Sequence, residues 1–177
     1  VVTYNRGQEL VNCLESLSKQ NCSSYEVIVV DNGENLLKDY RQYVDLYIKC
    51  PINFGLSEGR NIGVCFAKGR IVALLDDDAL VGQSYVSSIK AAFDRHDIYG
   101  LRGQAMPKTN PEANKDATGY NRGDRPFATY CDLEGGSAFR KDIFLAMSGM
   151  DPLLFGHEGI DLTYRIIQQY NVMNKVI

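Results

Sequence analysis

No run in this sequence is long and apolar enough to span a bilayer. No C-x-x-C pair occurs either. The five cysteines, Cys13, Cys22, Cys50, Cys65 and Cys131, are odd in number and scattered. That argues against a disulfide framework or a zinc site and for reduced, mostly buried thiols. No G-x-x-x-x-G-K-[ST] is present, and no G-x-G-x-x-G follows the first apolar run. This weakens NTPase and dehydrogenase readings. A net positive charge is missing too. The formal charge is −3, so no general polyanion-binding surface and no nucleic-acid partner is implied. A local basic pocket for a phosphate stays open.

What is present is an ordinary soluble composition, 45% hydrophobic and 23% charged over 177 residues, enough for one domain with a real core. The chain starts in an apolar strand, Val1-Val2-Thr3-Tyr4, and stops in Val172 to Ile177, which reads as another. A piece of a longer protein, cut at both ends, is therefore expected. Membrane association would come only through segments outside this chain. The expected location is cytoplasmic, with the inner face of a membrane as an option.

The stretch that organises the rest is Gly69 to Ala79. Ile71 to Leu75 is apolar and reads as a buried strand, and Asp76-Asp77-Asp78 follows at its carboxyl end. Three adjacent carboxylates repel one another unless a cation or a donor-rich ligand neutralises them. In open α/β sheets, ligands bind outside the carboxyl ends of strands. This suggests a hard-metal site with Asp76 and Asp78 as oxygen ligands. The bland alternative is an acidic turn that caps the next helix.

Taken in order, Val1 to Tyr4 is a strand and Gln8 to Gln20 an amphipathic helix, with Leu10, Cys13, Leu14 and Leu17 at helical spacing. Tyr25 to Val30 is a β-branched strand that ends in the turn Asp31-Asn32-Gly33. A polar helix is expected over Glu34 to Tyr43 and a short strand at Leu46 to Ile48. The next helix should be capped by Ser57 and bury Ile62, Cys65 and Phe66. Gly59 and Gly63 share one face of it and permit close packing on the sheet. Gln83 to Arg95 reads as a helix, and Ile98 to Leu101 begins a strand. Pro107 to Pro126 is long, polar and without a clear period, as expected of a functional lid or a disordered loop. A turn at Glu134-Gly135-Gly136-Ser137, a short helix at Ile143 to Met147 and a last helix from Leu162 to Tyr170 complete the order. The β-α-β alternation predicts a mostly parallel α/β sheet with helices on both faces.

Three strand ends carry polar residues: Thr3 with Tyr4 and Asn5, Asp31 with Asn32, and Asp76 to Asp78. Parallel strands would bring them to one rim that suits a nucleoside diphosphate. Asp31 could accept from a base N–H or a ribose hydroxyl, or serve as a local turn residue. Arg60 could bond phosphate or sugar, or be a solvated helix residue. A second acidic site surrounds His157, Glu158 and Asp161. Glu158 and Asp161 share a helix face if the helix includes both, and one could deprotonate an acceptor hydroxyl. Acids at a helix start are also favoured by the helix dipole alone.

In sequence these segments resemble family 2 glycosyltransferases of GT-A fold, over nearly the whole chain. Val1-Val2-Thr3-Tyr4-Asn5-Arg6 looks like the opening strand. Glu26 to Gly33 looks like the second strand with its nucleotide-binding aspartate, Asp31. Asn53-Phe54-Gly55-Leu56-Ser57-Glu58-Gly59-Arg60-Asn61-Ile62-Gly63 looks like the donor-side helix, and Asp76-Asp77-Asp78 like the D-x-D metal motif.

The resemblance implies an inverting, metal-dependent transfer from a nucleotide-diphosphate sugar to a hydroxyl of a glycan, polysaccharide or lipid-linked acceptor. A UDP-sugar is the default donor. Thr3, Tyr4, Asp31, Arg60, Asp76, Asp77 and Gly136 would face the donor, and Asp76 and Asp78 would hold Mn²⁺ or Mg²⁺. Residues 1–105 would form the donor half and 106–177 the acceptor half. The late motif departs from the family's Glu-Asp, reading Glu158-Gly159, so Glu158 is the first choice of base and Asp161 the second. The rivals are a silent nucleotide-sugar-binding domain and a sugar nucleotidyltransferase. The latter would be expected to carry a Gly-rich basic loop after strand one, and Asn5-Arg6-Gly7 is too sparse for it.

Overall fold

The computed structural model describes residues 1–34, 38–106, 125, 127–129, 135–171 and 174–176. The expected loop from Pro107 to Pro126 falls almost wholly outside them. The elements are β1 (Val2–Thr3), α1 (Gln8–Ser18), β2 (Ile28–Asp31), β3 (Leu46–Lys49), α2 (Gly55–Phe66), β4 (Ile71–Leu74), α3 (Tyr85–Arg95), β5 (Gly100–Arg102), β6 (Phe127–Thr129), β7 (Ser137–Arg140), α4 (Lys141–Ala146), α5 (Glu158–Tyr170) and β8 (Asn174–Val176). A 3₁₀ helix, Lys38–Tyr43, stands where the polar helix was expected.

Strands β1, β2 and β3 form a parallel sheet in that order. The others form a second sheet, β4-β7-β5-β8-β6. A parallel bridge between Val2 and Asp76 joins the two across β1 and β4. Through it, β1 to β5 and β8 share one direction. Only β7 and β6, among the described strands, run against it. Strand β7 enters late in sequence yet pairs between β4 and β5.

The side-chain alternation of the strands sends successive residues to opposite faces. On one face Leu10, Cys13, Leu14 and Leu17 of α1 pack with Val27, Val29, Tyr40 and Leu75. On the other, Val64 of α2 joins Val72, Leu74, Phe139, Phe144, Met150, Leu162 and Ile166. Helices thus cover both faces.

Helix α2 differs from its sequence reading. It begins at Gly55 with Phe54 as N-cap, so Ser57 lies inside it. Its buried residues are Ser57, Gly59, Arg60 and Val64, whereas Cys65 and Phe66 are exposed. A Cβ at Gly59 would lie 2.6 Å from Val2 Cγ1, so the helix lies hard against β1 there; Phe66, on the same side but at the last residue of the helix, is 59% exposed. Helix α5 also starts earlier than Leu162, at Glu158, and therefore includes both acids.

Candidate functional site

Register decides what meets at the carboxyl ends of the strands. Lys49 pairs with Asp31, Asp31 with Thr3, and Val2 with Asp76. Lys49, Asp31 and Thr3 thus lie level on neighbouring strands, with Asp76 on the next. At about 4.8 Å between strands the row spans roughly 14 Å. That suits a ligand with separate base, sugar and phosphate ends.

At one end, Asp31 is only 1% exposed. Its Oδ1 accepts the Gly33 N–H at 2.7 Å, and its Oδ2 accepts the Tyr47 hydroxyl at 2.6 Å and the Lys49 ammonium at 3.4 Å. Burial, then the Asp31 carboxylate, push the Tyr47 phenol far above its usual range, so it stays a donor. Asn32 accepts from the Phe54 N–H and donates to the Gly55 carbonyl, tying this strand end to the start of α2.

At the other end the three aspartates face different partners. Arg60 donates from Nη2 to Asp76 Oδ1 at 3.0 Å. The Thr3 hydroxyl donates to Asp77 Oδ2 at 2.7 Å. Arg6 stands 3.7 Å from Asp77 and 3.9 Å from Asp78. Burial raises the Asp77 carboxyl above its ordinary range, and the Thr3 hydroxyl and Arg6 oppose the rise. The side chains of Asp76 and Asp78 are about half exposed. Tyr4 is also exposed.

Gly135 and Gly136 close over Asp76. The Gly136 N–H donates to the Leu74 carbonyl, and a Cβ on Gly135 would lie 1.9 Å from Asp76 Oδ2. Gly136 has φ +79°. The Asp76 carboxylate fills the place that a side chain at Gly135 would need. Among the described residues no group of three or more His, Cys, Asp or Glu is arranged to hold a metal. Asp76 and Asp78 nonetheless offer exposed hard oxygens, and a divalent ion of this type commonly takes one or two carboxylates and completes its shell with phosphate oxygens and water. The donor set fits such an ion with a bound diphosphate.

The head of α5 lies beneath this cluster. Glu158 is 3% exposed, and its Oε1 accepts from Arg60 Nη1 at 3.4 Å. The same guanidinium thus touches Asp76 and Glu158. The sequence reads Arg60 as a donor residue and Glu158 as an acceptor-side one, and no local signal marks their direct contact, 98 positions apart. Asp161 is held by its own helix, where Arg165 donates to its Oδ2 from Nε at 2.8 Å and from Nη2 at 2.6 Å. Arg165 also donates to the carbonyls of Met147 and Gly149. His157 is exposed.

With this geometry in place, comparison with known proteins is decisive. The model of glycosyl transferase family 2 matches residues 1–144. The chain belongs to that family. An uncharacterised glycosyltransferase of Bacillus subtilis, YwdF, is 26% identical over 97% of the chain, which covers 68% of YwdF. The crystal structure of Staphylococcus aureus TarS 1-349 in complex with UDP superposes with a TM-score of 0.80 at 18% identity, over 99% of this chain and 56% of that one. A mannosyltransferase from Pyrobaculum calidifontis, solved with GDP-Man and Mn²⁺, gives 0.74 at 15% identity, over 99% and 52%. The chain therefore has the fold of these glycosyltransferases and spans roughly half to two-thirds of their length. No described helix is long and apolar enough to cross a membrane.

Proposed function

We propose that the chain transfers a sugar from a nucleotide-diphosphate sugar to a hydroxyl of a glycan, polysaccharide or lipid-linked acceptor, with inversion. The observation that carries this is the row of Lys49, Asp31, Thr3 and Asp76 across four adjacent strand ends. In this reading Asp31 holds the nucleoside end, with Thr3 and Tyr4 beside it. Asp76, Asp77 and Gly136 face the sugar diphosphate, and Arg60, buried and bonded to Asp76, supports the site from behind instead of reaching the ligand as its sequence reading has it. Asp76 and Asp78 hold Mn²⁺ or Mg²⁺, which when bound supplies a Lewis acid for the leaving diphosphate. Residues 1–105 serve the donor and 106–177 the acceptor. Mn²⁺ in the mannosyltransferase complex supports the choice of ion, and UDP on TarS makes UDP-sugars the first donors to test.

For the base, the difference in burial supports Asp161 ahead of Glu158, which the sequence reading ranks first. A general base must come within hydrogen-bond reach of the acceptor proton. Glu158 is buried on Arg60, whereas Asp161 is about one-third exposed and both of its bonds from Arg165 fall on Oδ2, leaving Oδ1 for an acceptor. Asp161 is therefore the proposed base. A second reading, binding without turnover, is favoured by one observation. Both acids carry arginine partners, and Gly159 between them has no side chain.

Assays of nucleotide sugars with Mn²⁺ and an acceptor panel separate the two. Turnover by the wild type, abolished in Asp78→Ala and lowered about 10²–10⁴-fold in kcat by Asp161→Asn, supports transfer with this base. A donor that binds tightly yet is never consumed supports the second reading.

A further inference from the structure

Arg60 is shared by two carboxylates, and one of them is a ligand in the proposed donor site. Its Nη2 holds Asp76 Oδ1 at 3.0 Å and its Nη1 holds Glu158 Oε1 at 3.4 Å. The two ends differ in surroundings. The Asp76 side chain is 48% exposed, whereas those of Arg60 and Glu158 are each 4% exposed. The buried end is also pinned. Arg60 Nη1 lies 3.9 Å from Met150 Sδ, and Asn61 exchanges two hydrogen bonds with the Met150 backbone. Glu158 Oε2 is buried and has no hydrogen-bond partner. An unsatisfied buried acceptor is costly, and a guanidinium prefers to meet a carboxylate through two parallel bonds.

We propose that Glu158 is a positioning residue that receives Arg60 when Asp76 turns to a divalent cation. Arg60 Nη2 leaves Asp76 Oδ1 for Glu158 Oε2, and the single bond to Glu158 becomes a two-bond fork. Asp76 is released without stranding a buried charge. No covalent bond changes and no proton moves. Before the exchange, Arg60 supplies the counter-charge that keeps three adjacent aspartates tolerable. After it, the cation takes that role. Arg60 is thus an internal competitor for Asp76, and Glu158 sets how readily it lets go. The inference rests on the reading of Asp76 as a metal ligand.

The test is an EPR titration of free Mn²⁺ against the full-length protein, alone and with saturating UDP, GDP or dTDP. Glu158→Gln keeps the shape but removes the anionic receiver, so Arg60 stays on Asp76. Mn²⁺ affinity is expected to fall about tenfold or more. In the double variant Arg60→Met/Glu158→Gln the competitor is gone, and affinity should return to the wild-type value or exceed it. A Glu158→Gln protein that binds Mn²⁺ within twofold of wild type overturns the proposal. So does a double variant as weak as Glu158→Gln. A wild type that takes up no Mn²⁺ under any condition overturns the metal reading itself and this inference with it. A measurement on the unmutated protein guards against misfolded variants. Mg²⁺ with the nucleotide should shift the Arg60 Nη resonances and slow guanidinium rotation, and unchanged resonances would contradict the exchange.

Discussion

Two arginine–carboxylate pairs meet at the start of α5, and burial gives them different meanings. Arg165 and Asp161 are four residues apart, and each side chain is about one-third exposed. Arg60 and Glu158 are 98 residues apart in sequence and almost wholly buried. The first pair is local. It ties the helix to the turn at Met147 and Gly149 and is screened by water. The second joins two separate elements in a medium where an unpaired charge is expensive. Chemistry that depends on a charge changing partners belongs to the second pair, because there every change of partner carries a large free-energy difference.

The sharpest break of this contrast is Arg60→Met. It leaves Glu158 as a buried charge without a partner, at a cost of roughly 3–5 kcal/mol. For a chain of this length, that lowers Tm by about 10 °C or more in thermal unfolding. Asp161→Asn should lower it far less.

Thr3→Val probes the donor rim. It removes the hydroxyl that donates to Asp77, and leaving an oxygen of this largely buried carboxylate without its donor costs about 1–3 kcal/mol. The effect should depend on pH. Burial holds the Asp77 carboxyl above the ordinary aspartate range in the folded protein, so its ionisation lowers stability as pH rises through that window. Losing the hydroxyl raises the folded pKa further. The Tm gap between variant and wild type should therefore be wider at pH 7 than at pH 4.

Gly135→Ala should separate binding from stability. Its Cβ would displace the Asp76 carboxylate, which is half exposed and is held by Arg60, whose other bond to Glu158 remains. The expected result is less than about 1 kcal/mol in stability but a loss of about tenfold in affinity for Mn²⁺ with nucleotide, read by calorimetry. The smallest stability effect belongs to Asp161→Asn, about 0.5 kcal/mol by denaturant titration.

The sequence carried the order of elements apart from β6, both faces of the core and the acidic strand end, because apolar spacing and turn residues report local structure directly. It placed Asp31 and Asp76 on one rim for the same reason, since parallel strands leave little freedom in where their ends lie. What it could not give were partners distant along the chain. Phe66 looked like core and Arg60 was as readily a solvent residue, because Arg60 is tolerable inside only beside Asp76 and Glu158, 16 and 98 positions away. The insertion of β7 between β4 and β5 was equally silent, since strand pairing across that distance leaves no periodic trace.

In the proposed function the carboxyl ends of β1, β2 and β4 form one site for a nucleoside diphosphate with its metal. The most direct measurement is thermal unfolding with UDP, GDP and dTDP, each with and without Mn²⁺, on wild type, Asp31→Asn and Asp78→Asn. A ligand that binds only the folded state raises Tm. At least one nucleotide should stabilise the wild type strongly with Mn²⁺ and weakly without it. Asp78→Asn should abolish the Mn²⁺ dependence, and Asp31→Asn should weaken nucleotide binding under both conditions. Equal stabilisation with and without Mn²⁺, unchanged in both variants, would contradict that proposal.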